Sequence, residues 1–383
     1  MPVRDIKRTL CAAVTLACCA QPAMSQERVR FAQFNIWELS RSKLDEVDEI
    51  GQGTNPQLLK AAEILQRIRP DVLLINEIDF DEAGLNLRLF ESRYLAVSQA
   101  GLSPLQFPHV YFEAVNTGVP SGYDLDRDGN SDGPGDCWGY GRYPGQYGMG
   151  LLSVHPIQAR AARTFRLLRW ADMPGNLMPD GHAGKPGWYE PEVARVLRLS
   201  SKSHWDVPLM IGDHVVHVLS AHPTPPVFDG PEDRNGRRNF DEIRLLADYI
   251  AGGDRASYIV DDSGQPGPLP PSALFVIMGD MNADIEESES PHGQPAIAQL
   301  LSLDRVQDAR PASAGALATL GGGHAGLATT SFGRIDYVLP SKGLEIEQAG
   351  LFWPGPNDPQ RQLCAPPEPA SDHRPVWVDI RLP

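Results

Sequence analysis

Phe275-Val276-Ile277-Met278-Gly279-Asp280-Met281-Asn282 reads as a buried strand that ends by delivering a carboxylate and an amide. Its apolar run is too short for a helix and is followed at once by Gly and Asp, which makes it a core strand leading to a rim. The same grammar recurs along the chain. Phe31-Ala32-Gln33-Phe34 ends on Asn35, Val72-Leu73-Leu74-Ile75-Asn76 ends on Glu77, and Val218-Leu219-Ser220-Ala221 ends on His222. Asp336 lies in Arg334-Ile335-Asp336-Tyr337-Val338, and Asp372-His373 opens the last apolar run. A single polar residue closing a strand is usually a cap or turn residue. A recurring set drawn only from Asn, Asp, Glu and His is instead what hydrolysis of a phosphate ester needs. A hard cation such as Mg²⁺ or Mn²⁺ takes carboxylate and amide oxygens and neutralises charge on phosphoryl oxygens. Imidazoles move the proton or stabilise the same charge. The set is too hard and too poor in cysteine for redox copper or iron–sulfur chemistry.

Working outward, strand-like runs are expected at 29–36, 72–78, 109–114, 147–154, 193–200, 214–221, 273–278, 335–339 and 375–382. Helical spacing is expected at 56–68, 239–251 and 294–301. No repeat or linker separates two cores, so residues 26–383 are expected to form one α/β domain. Gly- and Pro-rich stretches at 116–146, 171–190, 224–238, 252–271, 311–331 and 352–370 read as surface loops.

Residues 1–25 read as an export signal: Arg4, Lys7 and Arg8 precede a short apolar run, and Ala23-Met24-Ser25 offers small residues for cleavage before Gln26. The run falls short of the about 20 residues a membrane span requires, and Cys18 and Cys19 sit in poor register for lipid attachment. A secreted or periplasmic protein is expected. Lys and Arg total 34 against 49 Asp and Glu, a net charge of −15, which would become −17 on loss of Arg4, Lys7, Arg8 and Asp5 with the leader. That charge disfavours a broad basic surface for nucleic acid. Cys137 and Cys364 would remain, and an isolated pair in an oxidising compartment is expected to form a disulfide. In Asp124-Leu125-Asp126-Arg127-Asp128-Gly129-Asn130-Ser131-Asp132, carboxylates alternate ahead of a Gly as in calcium loops. Position twelve is Gly135 rather than Glu, so the loop is not a full EF-hand. Asp124, Asp126, Asp128 and Asp132, with Asp136 nearby, are candidate ligands of a structural Ca²⁺.

The ordered series Phe34-Asn35, Asn76-Glu77, Ala221-His222, Gly279-Asp280-Met281-Asn282, Arg334-Ile335-Asp336-Tyr337 and Ser371-Asp372-His373-Arg374-Pro375-Val376 strongly resembles the endonuclease/exonuclease/phosphatase superfamily from about residue 29 to 381. The resemblance implies a four-layer α/β sandwich, two mixed β-sheets face to face with helices outside, and a site at one edge. It implies Glu77 as main metal ligand beside Asn35 and Asp372. Asp280 and Asn282 would position attacking water and phosphate or hold a second metal. His373 would be a base or phosphate contact oriented by Asp336, and His222 would contact the phosphate or assist the leaving group. The segment Pro223-Thr224-Pro225-Pro226 departs from the family pattern and bears on His222 alone. Arg334, Arg142 and Tyr147 are weaker candidates, each equally readable as a structural residue.

The expected protein is therefore an exported, monomeric, metal-dependent phosphoesterase acting on a small or lipid-linked phosphoester. A secreted nuclease and a catalytically silent binding module are the alternatives. No aromatic hairpin suited to membrane insertion is legible in the sequence.

Overall fold

A computed structural model describes residues 28–179, 187–286, 293–322 and 324–383. The expected leader lies outside the described residues. Eleven strands are formed: β1 Arg28–Leu39, β2 Val72–Ile78, β3 His109–Tyr111, β4 Gly148–Ser153, β5 Arg163–Thr164, β6 His204–Ile211, β7 His214–Ala221, β8 Leu274–Asp280, β9 Asp336–Pro340, β10 Glu345–Leu351 and β11 Val376–Arg381. They make a six-stranded sheet in the order β10-β11-β1-β2-β4-β3 and a five-stranded sheet in the order β5-β6-β7-β8-β9. Both are mixed, since β1 runs parallel to β2 and β7 parallel to β8 while the other pairings are antiparallel.

Strand periodicity explains the layers, because alternate side chains point to opposite faces. On the first sheet, Val29 and Phe31, Val72 and Leu74, and Val376 and Val378 face the second sheet. There they meet Val216, Val218, Val276, Met278 and Val338. The intervening residues Ala32, Phe34, Leu73 and Ile75 pack outward against the helix Pro56–Ile68, which contributes Leu58, Ala62 and Leu65. That helix starts where Asn55 accepts a hydrogen bond from the Leu58 N–H and Pro56 occupies the first turn, and it ends where Arg69 turns left-handed at φ 57°. On the far side, Leu219, Phe275, Ile277 and Leu339 pack against Phe240, Ile243 and Leu246 of the helix Arg234–Ala251. The order of layers is thus helix, sheet, sheet, helix, as the resemblance implies.

Three expectations need correction. The run 193–200 is not a strand: Pro191–Ala194 is a short helix and only Arg198 bridges to Arg169. The pairing strand lies further on, at β6, whose alternation is hidden because its residues are almost all buried. The edge strand β10 was not expected because its pattern is largely polar and exposed. Finally, Cys137 and Cys364 are unpaired and buried in different places. Cys364 sits in the outer apolar layer of the first sheet, where burial pushes its thiol up to about 11. Cys137 lies in the long loop before β4, next to the carbonyls of Gly133 and Gly141.

Close approach of β7 and β8 fixes the site end of the second sheet. A Cβ added at Gly279 would stand 2.0 Å from the Ala221 carbonyl oxygen. Gly279→Ala is therefore expected to cost at least about 2 kcal/mol of stability, the range of core overpacking. Urea unfolding would measure it, and a loss within about 0.5 kcal/mol would mean the strands can part there without cost.

Candidate active site

At one end of the inter-sheet core the inward-facing residues change from apolar to polar. The inner face of β1 runs Val29, Phe31, Gln33, Asn35, and that of β8 runs Val276, Met278, Asp280. The inner row of β7 ends on Ser220 and passes to His222, while Asn76 of β2 and Asp336 of β9 complete the polar end. Nearly all of these side chains are buried, so they must satisfy one another. Asn35 Nδ2 donates to Glu77 Oε1 and to Asp280 Oδ2, both at 3.0 Å, and so ties the two sheets together. Gln33 Nε2 makes a parallel tie, donating to Asn76 at 2.9 Å and to Asp336 at 3.0 Å.

Glu77 reaches this cluster through a break in strand register. Asn35 pairs with Asn76 and Leu39 with Ile78, so three residues of β1 face one of β2. The irregularity puts Trp37, Glu38 and Glu77 at φ 37°, 55° and 67°. Left-handed backbone costs a non-glycine residue about 1–2 kcal/mol each and is tolerated where surroundings over-determine it. Here the Glu38 N–H donates to Glu77 Oε2 and the Trp37 N–H to Asn35 Oδ1, each at 3.0 Å.

The histidines converge on Asp280. His373 Nδ1 lies 2.9 Å from Asp336 Oδ2 and its Nε2 lies 3.7 Å from Asp280 Oδ2. His222 Nε2 is 3.4 Å from the same Asp280 oxygen. Burial alone would favour neutral His373, but the charges on Asp336 and Asp280 outweigh it and raise the imidazole to about 10. Burial would likewise raise Asp280, yet His373, His222 and the Asn282 N–H hold its carboxyl well below the usual range. Ser371 locks the last segment by donating to the Asn35 carbonyl at 2.7 Å and accepting from the His373 N–H at 3.0 Å.

The structure therefore brings Asn35, Glu77, His222, Asp280, Asp336 and His373 together. Asp372 is close enough for the Glu77 charge to act on it, and desolvation together with that charge raises its carboxyl although the residue itself is exposed. Asn282 is adjacent, but its side-chain amide donates to the Pro223 carbonyl at 3.1 Å rather than pointing freely into the site. The proline-rich departure is thereby absorbed, because Pro223 and Thr224 are pinned by Asn282, Glu242 and Asn239. Arg334 is structural: it makes a two-pronged ion pair with Asp308 at 2.6 and 2.7 Å. Tyr147 donates to Glu38 at 3.1 Å, and Arg142 is exposed.

Two participants were not foreseen. One is Gln33, hidden inside an apolar run. The other is Lys202, almost fully buried, with Nζ 3.4 Å from the Pro223 carbonyl. Burial lowers its pKa, opposed by the charges of Glu242, Asp280 and Glu77. Its only sequence signal is a lysine in the Ser-rich entry to β6.

The donors suit a divalent cation. Glu77 and Asp372 crowd like charges together, and His222 Nδ1 is buried without a hydrogen-bond partner. Ligand atoms of Asp280, Asp336 and His373 lie within 4.8 Å of one another, but both Asp336 oxygens already serve Gln33 and His373. Glu77, Asn35 and Asp372 consequently fit the metal-holding role better, and the Asp336–His373–Asp280 row fits proton and charge handling. The second acidic cluster also forms: Asp124, Asp126 and Asp128 gather carboxylate oxygens within the same span. Asp132 is not among them, and Asp136 instead caps the Leu125 and Gly133 N–H groups.

Two mixed sheets enclosing a carboxylate, amide and imidazole site at one edge define an α/β sandwich of the phosphoester-hydrolysing type. Residues 32–373 match the endonuclease/exonuclease/phosphatase family model, and the chain belongs to that family. An endonuclease/exonuclease/phosphatase from Beutenbergia cavernae superposes with a TM-score of 0.50 at 17% identity, covering 93% of this chain and 72% of that one. A family protein from Leptotrichia buccalis gives 0.46 at 13% identity over 92% and 100% of the two chains. Truncated TDP2 from Caenorhabditis elegans gives 0.45 at 15% over 92% and 97%. These likenesses concern the fold. No curated protein matches the chain. Members of the family are metal-dependent phosphoesterases.

A histidine raised to about 10 when folded stabilises the fold fully below its ordinary value near 6.5 and loses that contribution as pH rises through 10. In chelator, the stability advantage of the parent over His373→Gln is expected to shrink steadily between pH 6.5 and 10 in urea titrations. A difference that stays flat across that window would mean His373 is neutral throughout.

Proposed function

We propose that this protein is an exported, divalent-metal-dependent phosphoesterase that hydrolyses its substrate by attack of an activated water. The observation that carries the reading is the meeting of Asn35 and Glu77 from one sheet with Asp280, His222 and the Asp336–His373 pair around a single buried point. Glu77, Asn35 and Asp372 would hold Mg²⁺ or Mn²⁺, which when bound neutralises charge on the phosphoryl oxygens. Asp280, ionised between two imidazoles, orients the attacking water and accepts its proton. His373, kept protonated by Asp336, donates to a phosphoryl oxygen, which makes it a charge-stabilising acid rather than the base. His222, with Nδ1 free, faces the leaving-group side. Export rests on the basic, apolar and small-residue pattern of residues 1–25. The Asp124–Asp128 loop would bind Ca²⁺, abundant outside the cell.

Hydrolysis of bis-p-nitrophenyl phosphate, p-nitrophenyl phosphate and supercoiled plasmid, with Mg²⁺, Mn²⁺ or Ca²⁺ and with chelator, tests the reading. Metal-dependent turnover is expected, falling about 10²–10⁴-fold in His373→Ala. Activity that survives chelation or His373→Ala would defeat the site assignment, and turnover confined to plasmid would make the protein a nuclease. For the loop, calorimetry on calcium-stripped protein is expected to show binding at or below about 1 mM Ca²⁺. Equal binding by Asp126→Ala/Asp128→Ala would remove that assignment.

A further inference from the structure

Five aromatic side chains are exposed among the described residues: Trp37, Tyr140, Tyr143, Phe228 and Phe332. All five are carried on segments that leave the candidate catalytic edge. Trp37 follows Asn35 on the register break, and Tyr140 and Tyr143 lie in the connection into β4, whose first residue Gly148 pairs with Ile78 beside Glu77. Phe228 stands in the loop that follows His222, and Phe332 in the turn that precedes Asp336. An apolar patch gathered around a catalytic opening marks an interaction surface.

Phe228 and Phe332 are the extreme members, 88% and 89% exposed. Neither has a polar handle, whereas Tyr143 is tied to Asp79. Both are presented on braced loops rather than on slack ones. Asn235 holds the first loop through the Val227 carbonyl at 2.7 Å and Asp229 at 2.6 Å, and Phe228 itself is held at φ 69° beside the half-exposed Val227. In the second, Thr330 bridges to Gly333 and accepts from the Phe332 N–H at 3.1 Å. Backbone strain and two hydrated phenyl rings are costs that folding alone does not offset.

Charge selects the occupant. Asp229, Glu232 and Asp233 accompany the first ring and Asp284 braces the second turn, while the nearby cations are committed, Arg234 to Glu232 and Arg334 to Asp308. On a chain of net charge −15, this rim opposes a polyanion and an anionic bilayer alike. Aromatic faces next to carboxylates suit a quaternary ammonium, and bare phenyl rings suit the boundary between headgroups and acyl chains. We infer that Phe228 and Phe332 seat the catalytic edge on a zwitterionic, choline-bearing phospholipid surface, so that the substrate is the phosphodiester of a lipid headgroup. The inference rests on the phosphoesterase reading and narrows its substrate class. The two rings were invisible as a pair in the sequence because they come from loops far apart in the chain.

The test is co-sedimentation of the protein with phosphatidylcholine vesicles in Mg²⁺, beside Phe228→Ser/Phe332→Ser, with turnover of soluble bis-p-nitrophenyl phosphate measured on both. Vesicle partitioning is expected to fall at least about thirtyfold in the variant, with burial of each ring worth tenfold or more. Soluble turnover and melting temperature should not change, since both rings face solvent. Absence of vesicle binding by the parent, or equal binding by the variant, overturns the inference. So does fluorescence anisotropy in which a single-stranded oligonucleotide binds the parent and is lost in the variant, which would assign the rings to base stacking. A parent that binds vesicles but hydrolyses neither soluble diester nor lipid would sink the phosphoesterase reading while leaving the docking surface standing.

Discussion

The two protons of one amide hold the site together. Asn35 Nδ2 donates across the gap between sheets to Asp280 and within its own sheet to Glu77. Below it the sheets meet through Val, Leu, Phe and Met, where shape and apolar burial are enough. At the level of Asn35 the contents become polar, and every buried donor and acceptor must find a defined partner. Gln33 makes the same kind of tie one step nearer the core. The sandwich therefore closes on an apolar interior at one end and on a hydrogen-bonded lattice at the other, and the relative position of the sheets is set by both.

That lattice is strongly charged. Asp280, Asp336, Glu77 and Asp372 crowd an end of the core where His373, His222 and the buried Lys202 are the cationic groups near them. Desolvation works against every one of these ions, so each depends on its neighbours. Asp336 raises His373, and His373 in turn lowers Asp280. A bound divalent cation would relieve the repulsion between Glu77 and Asp372, which is why a metal belongs on their side and the protonated imidazole on the other.

Much of the frame was legible from residue order. The strands 72–78 and 214–221 and the helix 56–68 match their observed limits, because their apolar periodicity and caps agree. The strand expected at 193–200 failed for a definite reason. A Pro at 191 starts a short helix there, and the true strand β6 is buried on both faces, so its mixed composition carries no alternating signal. The disulfide expected from Cys137 and Cys364 failed because cysteine count carries no information on distance, and each sulfur sits in its own pocket.

The sequence by itself determined the fold class and the identity of most polar residues at the site, since a carboxylate, amide or imidazole closing an apolar run must emerge at a sheet rim. Only the tertiary structure decided what those residues do to one another. Long-range contacts turned His373 into a protonated group, committed Arg334 to Asp308 and Asn282 to Pro223, and buried Lys202 beside the site. They also left Phe228 and Phe332 facing solvent on the loops of one edge. Local pattern reports which way a side chain points from its own strand, whereas charge state, partner and exposure depend on what another part of the chain places opposite it.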